Sequence, residues 1–301
     1  MPSVSSCAVV IVSPWMPAWV CVSDHSPDGG RMMSANRLPT VFLPHGAGPC
    51  FFMEWEPADT WQGMEAWLRN LLPSLNVAPR ALLVISAHWE EPVFTLNTQA
   101  APGLLFDYYG FPPHTYQLTW PAPGAPELAA EVAELLGKAG FDTAFNHRRG
   151  FDHGVFIPLK LVRPEADMPV LQLSLRADMD PQAHLELGRV LAPLREQGVL
   201  IVGSGMSFHN IPLMRANLAT PAPAVEAFDR WLQNMIVLPQ AERDAALADW
   251  QQAPGALLAH PDAEHLLPLH VVAGAAADSP GRADFHQVAM GVPLAGFVFA
   301  D

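Results

Sequence analysis

Four short apolar runs, Thr40–Leu43, Ala81–Ser86, Val170–Leu175 and Val199–Val202, are separated by much longer stretches whose apolar residues recur at helical spacing. Nothing else in the chain restricts its fold as strongly. A run of four to six residues with little polar alternation reads as a strand buried on both faces. The stretches between read as helices at Thr60–Leu72, Pro126–Gly140, Phe156–Val162, Pro181–Glu196, Ala224–Val237 and Ala263–Ala276. The helix at Pro126 opens with proline and stops at Gly137 or Gly140, the asymmetry expected of helix ends. The last apolar stretch, His286–Phe299, reads as a hairpin at a sheet edge. This alternation predicts a single α/β domain with a mainly parallel central sheet flanked by helices on both faces. No repeat, linker or low-complexity block divides residues 37–301, which are read as one α/β domain.

Residues 1–36 have another texture. Their apolar residues are broken by Pro14 and Pro17, and no Lys or Arg precedes Arg31. They lack the charged start of a secretory signal and the ~20 unbroken apolar residues of a membrane span. They are expected to be an extension outside the domain, with Met32 or Met33 as the true start.

Charge removes further classes. Sixteen Lys and Arg stand against 30 Asp and Glu, a formal net charge of −14, so a cationic face for nucleic acid is not expected. Half the residues are hydrophobic, enough to offset chain entropy and exclude disorder. The three cysteines, Cys7, Cys21 and Cys50, form no C-x-x-C pair. A disulfide framework or thiolate zinc site is therefore not expected, and a reducing cytoplasm is. The unusual figure is twelve histidines, since histidine is the commonest metal ligand and acid/base group.

Ligands of open α/β sheets bind beyond the carboxyl ends of the strands, and three histidines follow predicted strands. His45 succeeds Val41-Phe42-Leu43-Pro44, His88 succeeds Leu82 to Ala87, and His209 lies a few residues beyond Leu200 to Gly205. Parallel strands would bring these three loops to one side. His153 lies in Gly150-Phe151-Asp152-His153-Gly154, just ahead of a helix, whose N-terminus attracts anionic ligands. His265 is expected early in a helix beside Glu264, which could orient an imidazole or bind a metal itself. His25, His114, His147, His184, His270 and His286 read as surface or packing residues, and His260 as ambiguous. No H-E-x-x-H, Walker loop or G-x-G-x-x-G occurs, and Gly203-Ser204-Gly205 is not a nucleophile elbow. A histidine-ligated metal remains, either a catalytic zinc or a non-haem Fe(II).

Taken in order, Pro44-His45-Gly46-Ala47-Gly48-Pro49, Ser86-Ala87-His88-Trp89, the segment Gly150 to Gly154, Gly203-Ser204-Gly205 leading to His209-Asn210, and Glu264 to Leu269 form a pattern. It resembles the class III extradiol ring-opening dioxygenases, in the DOPA 4,5-dioxygenase branch, from about residue 38 to the C-terminus. The resemblance implies a metal held by His45, His88 and His265, with His209 as acid/base and His153 as a further pocket histidine that binds substrate or oxygen. It implies Fe(II) for activity, with Zn(II) possible in the same site, and a small catechol and O2 as partners, with neither nucleic acid nor membrane. A monomer or small homo-oligomer is expected. Phe51, Phe52, Trp89, Tyr108 and Phe111 are candidates for packing on the substrate ring, against the plainer reading of ordinary core aromatics. One departure stands out: the first loop reads His-Gly-Ala-Gly-Pro where the branch commonly has His-Gly-Ser-Pro, which bears on substrate identity. Two other readings stay open, a zinc hydrolase on the same histidines and a non-catalytic binding protein of the same fold.

Overall fold

A computed structural model describes residues 37–217 and 221–301, so the expected extension at 1–36 lies outside the described residues. In chain order the elements are β1 (Thr40–Pro44), α1 (Gln62–Leu75), β2 (Ala81–Glu91), β3 (Phe94–Asn97), α2 (Pro126–Lys138), β4 (Thr143–Asn146), α3 (His153–Val162), β5 (Val170–Arg176) and α4 (Pro181–Leu191). They continue with β6 (Val199–Gly205), α5 (Ile211–Ala216), α6 (Pro223–Ile236), α7 (Gln240–Ala248), α8 (Ala256–Ala259), α9 (Leu267–Ala276), β7 (Gly281–Ala289) and β8 (Val292–Phe299). The eight strands form one sheet in the order β4-β3-β5-β2-β6-β1-β8-β7. The four predicted runs are its central strands, β5, β2, β6 and β1, all parallel. The predicted hairpin, β7 with β8, joins antiparallel to β1 and closes one edge. On the other side β3 runs antiparallel to β5 and pairs with β4.

Each face of the sheet meets its own helices. Successive strand residues point to opposite faces, and in β6 the close neighbour of Gly203 is the Pro268 carbonyl of α9, whereas Ser204 reaches Gly154 of α3. On the α9 side Thr40 of β1 also donates to the Val272 carbonyl, at 2.8 Å. The central strand residues are almost wholly buried, as doubly covered parallel strands must be.

Several boundaries differ from expectation; α3 begins at His153 and not at Phe156, and the hairpin begins at Gly281 and not at His286. The helix expected at Pro181–Glu196 stops at Leu191 and continues as a 3-10 turn, because Pro193 has no N–H for the α-helical bond. The last helix begins at Leu267, since Pro268 is accommodated only in a first turn; His265 thus lies in the preceding turn and not inside a helix. His88 lies within β2, whose register shifts between Ile85 and Glu90, so it sits in an irregular strand extension and not in a loop.

Among the described residues, no helix is long and apolar enough to cross a membrane.

Candidate metal centre

The three central strands β2, β6 and β1 are neighbours, so their carboxyl ends place His88, His209 and His45 together. His45 follows β1 directly and its N–H donates to the Gly205 carbonyl at the end of β6. The turn before α9 supplies His265, and the first residue of α3 supplies His153. The rings of His45, His88 and His265 form a near-equilateral triangle, with centroids 4.8, 5.2 and 4.9 Å apart. His153 lies 3.9 Å from His88 by the same measure, and His209 stacks on His265 at 3.4 Å. All five singled-out histidines thus converge.

Gly203-Ser204-Gly205 does the fitting. A methyl on Gly205 would intrude on the His265 carbonyl and one on Gly203 on the Pro268 carbonyl, so only glycine lets β6 approach the segment that carries His265. Ser204 between them donates its hydroxyl to the Gly154 carbonyl. That carbonyl is available because the residue four positions on is Pro158, which has no N–H to give it. With its proton spent, the Ser204 oxygen accepts from His45 Nδ1, 3.2 Å away. His265 Nδ1 is held by the Glu264 carboxylate at 2.8 Å and His153 Nδ1 by Asp107 at 2.8 Å.

These partners assign the tautomers: Nδ1 carries the proton in His45, His153 and His265, leaving Nε2 as a bare lone pair. His88 Nε2 lies 3.1 Å from His45 Nε2, and its Nδ1 lies 3.6 Å from Asp107, which favours the proton there too. Two lone pairs facing at that distance repel unless a cation lies between them. Nitrogens bound to one ion at ~2.1 Å each sit ~3 to 3.5 Å apart, so His45 and His88 fit a metal; among the described residues the groups whose donor atoms all lie within 4.8 Å of one another are His45 with His88 and His153, and His265 with His209 and Glu264. Neutral imidazole is the ligating form, and burial keeps it neutral here. It pushes His88 down to about 4, with His153 adding to the shift, and holds His45 and His265 well below the usual histidine range.

A second layer joins the motifs. Asp152, fully buried, accepts from Ser86 at 2.7 Å, from Arg149 at 3.0 Å and from Gln172, while the Ser86 oxygen accepts the His88 N–H. Arg149 also donates to the His88 carbonyl and lies over Trp89. Glu264 faces both His265 and His209, whose Nδ1 is 3.3 Å away. Burial, the largest single influence, opposes its charge, yet the hydrogen bond with His209, its own backbone N–H and the charges of His209 and His260 together outweigh it and hold the carboxyl below its usual range. Asp107, Asp152, Arg149 and Ser204 were not among the sequence candidates. Among the candidate aromatics, Trp89 is buried under Arg149, and Tyr108 sets its ring edge-on to His153 while its hydroxyl bonds Thr115. Phe51, Phe52 and Phe111 are half-buried against the core.

The cluster opens to solvent through a cavity of about 790 Å³ lined by His88, His265, Glu90, Asp262, Glu264 and Met179, among others. Burial and then the charges of Glu264 and Asp262 hold the Glu90 carboxyl above its usual range.

Comparison with known proteins gives one consistent picture. Residues 39–299 match the family described as the catalytic LigB subunit of aromatic ring-opening dioxygenase. The chain is 38% identical over 250 residues to a 4,5-DOPA dioxygenase extradiol of Beta vulgaris, covering 81% of this chain and 89% of that one. It is 40% identical over 255 residues to a dioxygenase, tasH, of Hapsidospora irregularis, covering 79% and 78%. A crystal structure of an uncharacterized protein from Escherichia coli K12 superposes with a TM-score of 0.73 at 28% identity, covering 88% of this chain and all of that one.

Proposed function

As the chain belongs to the family of catalytic LigB subunits of aromatic ring-opening dioxygenases, we propose that it opens a small, DOPA-like catechol beside its diol with O2, giving a semialdehyde. Residues 37–301 are the catalytic domain in this reading. His45, His88 and His265 would hold Fe(II), whose bound state acidifies the catechol hydroxyls and gives the diol and O2 a common meeting place. Zn(II) suits the same nitrogens. The observation that carries this reading is the convergence of five imidazoles, three of them tied back through Nδ1 with Nε2 left bare.

The remaining chemistry falls to the protein. His209, half-exposed and stacked on His265, accepts a phenolic proton at Nε2, and the Glu264 carboxylate at its Nδ1 stabilises the resulting imidazolium. The same nitrogen returns the proton as the ring opens. His153, fixed by Asp107 through both its ring and its backbone N–H, presents Nε2 to an oxygen of substrate or O2. A buried free thiol at Cys50 and a ferrous requirement both suit the cytoplasm, where the chain would act as a monomer or small homo-oligomer.

The test is oxygen uptake on simple catechols after anaerobic Fe(II) loading, with the yellow semialdehyde as product. His45→Ala and His88→Ala should lose both metal and turnover, and His209→Ala should keep metal while kcat falls about 10² to 10⁴-fold. Turnover that continues without O2, or with zinc alone, would sink the proposal in favour of a hydrolase.

A further inference from the structure

The cavity that opens onto the histidines is one-sided in charge. Besides His88 and His265 its titratable lining is Glu90, Asp262 and Glu264, and no Lys or Arg lines it. Glu264 is engaged by His265 and His209. Glu90 and Asp262 have no ion pair or hydrogen bond among the described residues. The nearby guanidinium groups are committed elsewhere, Arg149 to Asp152 and Arg176 to Asp178. The same cavity reaches the proposed metal centre. His265, only 4% exposed, lines it, and with Nδ1 on Glu264 its Nε2 has no partner among the described residues.

We propose that Glu90 and Asp262 select catechols whose side chain ends in a cation, such as an aryl-ethylammonium, over those ending in a carboxylate. The inference rests on the ring-opening reading and names the substrate class within it. His88 and Glu90 lie two residues apart on β2, on the side that opens to the cavity. That is ~7 Å of strand, comparable with the span from a catechol diol to an amine on a two-carbon tail. Asp262 lies three residues before His265 and brings a second carboxylate to the same mouth. A tail of either sign meets both charges, attracted or repelled. For two exposed carboxylates, each attracting one sign of tail and repelling the other, this difference amounts to about ten- to a hundredfold in kcat/KM between the two signs of tail. It shrinks with salt, as exposed charge interactions do.

The experiment uses the full chain loaded with Fe(II) and three probes that differ in tail charge: dopamine, 4-ethylcatechol and 3,4-dihydroxyphenylpropionate. Rates for each protein are expressed relative to 4-ethylcatechol in that same protein. The expected order is dopamine, then 4-ethylcatechol, then the propionate, with the spread compressed in 0.5 M salt on the order of the screening expected at that strength. In Glu90→Gln/Asp262→Asn the dopamine-to-propionate ratio should fall to within about threefold of unity, and Glu90→Lys should drive it lower still. Uptake with 4-ethylcatechol but no preference for the cation, or a preference that survives the double substitution, overturns this proposal alone. No uptake with any probe overturns the ring-opening reading and this proposal with it.

Discussion

Replacing Gly205 with alanine should damage metal binding more than it damages the fold. Gly205 ends β6 opposite Pro44 of β1; its carbonyl accepts from His45, and the next N–H, from Met206, donates to the His265 carbonyl at 3.0 Å. The new methyl would lie 2.1 Å from that carbonyl, which must retreat by at least about 1.3 Å to reach the 3.4 Å of ordinary contact. Overpacking costs about 1–3 kcal/mol, and a stretched Met206 bond about 1 kcal/mol more. The lower entropy of the unfolded alanine chain returns about 0.4–1 kcal/mol. The net loss of stability is then about 1–3 kcal/mol, within the margin of an ordinary domain. A shift of that size at His265 is another matter, because ligand distances tolerate only about 0.2 Å, and Fe(II) affinity should fall at least about tenfold. Anaerobic Fe(II) titration beside urea unfolding reads both effects. Gly203→Ala, crowding Pro268 instead, should lose similar stability but keep more of the affinity. Gly137→Ala, exposed in α2 with nothing within 4 Å, should be slightly stabilised. If Gly205→Ala binds Fe(II) within about threefold of wild type while unfolding more easily, the link between strand packing and His265 placement is wrong.

Other outcomes follow from the same coordinates. Pro158→Ala restores an N–H that competes with Ser204 for the Gly154 carbonyl, so Tm should hold or rise while Fe(II) affinity drops several-fold; a parallel rise in both would refute the tautomer assignment. Arg195 and Arg243 are buried and donate to carbonyls at the end of α9, Ala275 and Ala276 from the first, Ala273 and Ala277 from the second. Arg195→Met should therefore cost about 3–5 kcal/mol in urea unfolding, and a loss under about 1 kcal/mol would show the cap to be dispensable. Burial pushes His184 and His270 down to about 4 and His260 to about 3, all below the ~6.5 of an unfolded chain. Unfolding then takes up protons, so stability is whole above about pH 6.5 and is lost as pH falls towards 4, by up to ~4 kcal/mol per unit for the three together. A urea midpoint unchanged between pH 7.5 and 5 would contradict this.

The central strands and three of the converging histidines, His45, His88 and His209, are legible from local pattern, an apolar run and then a histidine past it, whereas His153 and His265 are marked only by their place near a helix start. What escaped depends on distant partners. Ser86 meets Asp152 across 66 positions, and Asp107 meets His153 across 46, and no local spacing announces such pairs. Four-residue strands such as β3 and β4 are too short to show a period. Gly203-Ser204-Gly205 was visible, yet sequence could only say what it was not; its use as a close-approach spacer appears once the His265 segment lies against it. The start of α9 was misjudged for a local reason, since Pro268 had to fall in a first turn.

The order of the strands also bears on when the ion can arrive. With His45 at the end of the first strand and His265 ahead of the last helix, the two are separated by most of the domain, and β1 pairs with β6 rather than with any strand near it in the chain. With His45, His88 and His265 as the proposed ligands, a ribosome-bound chain would lack the third until residue 265 emerges, so a partial product would not hold the complete site. Contacts of such high sequence separation also close late in folding. On that proposal, loading would follow completion of the sheet, with the cavity mouth as its way in, and the rate at which newly made enzyme becomes active would be set by folding before it is set by metal supply.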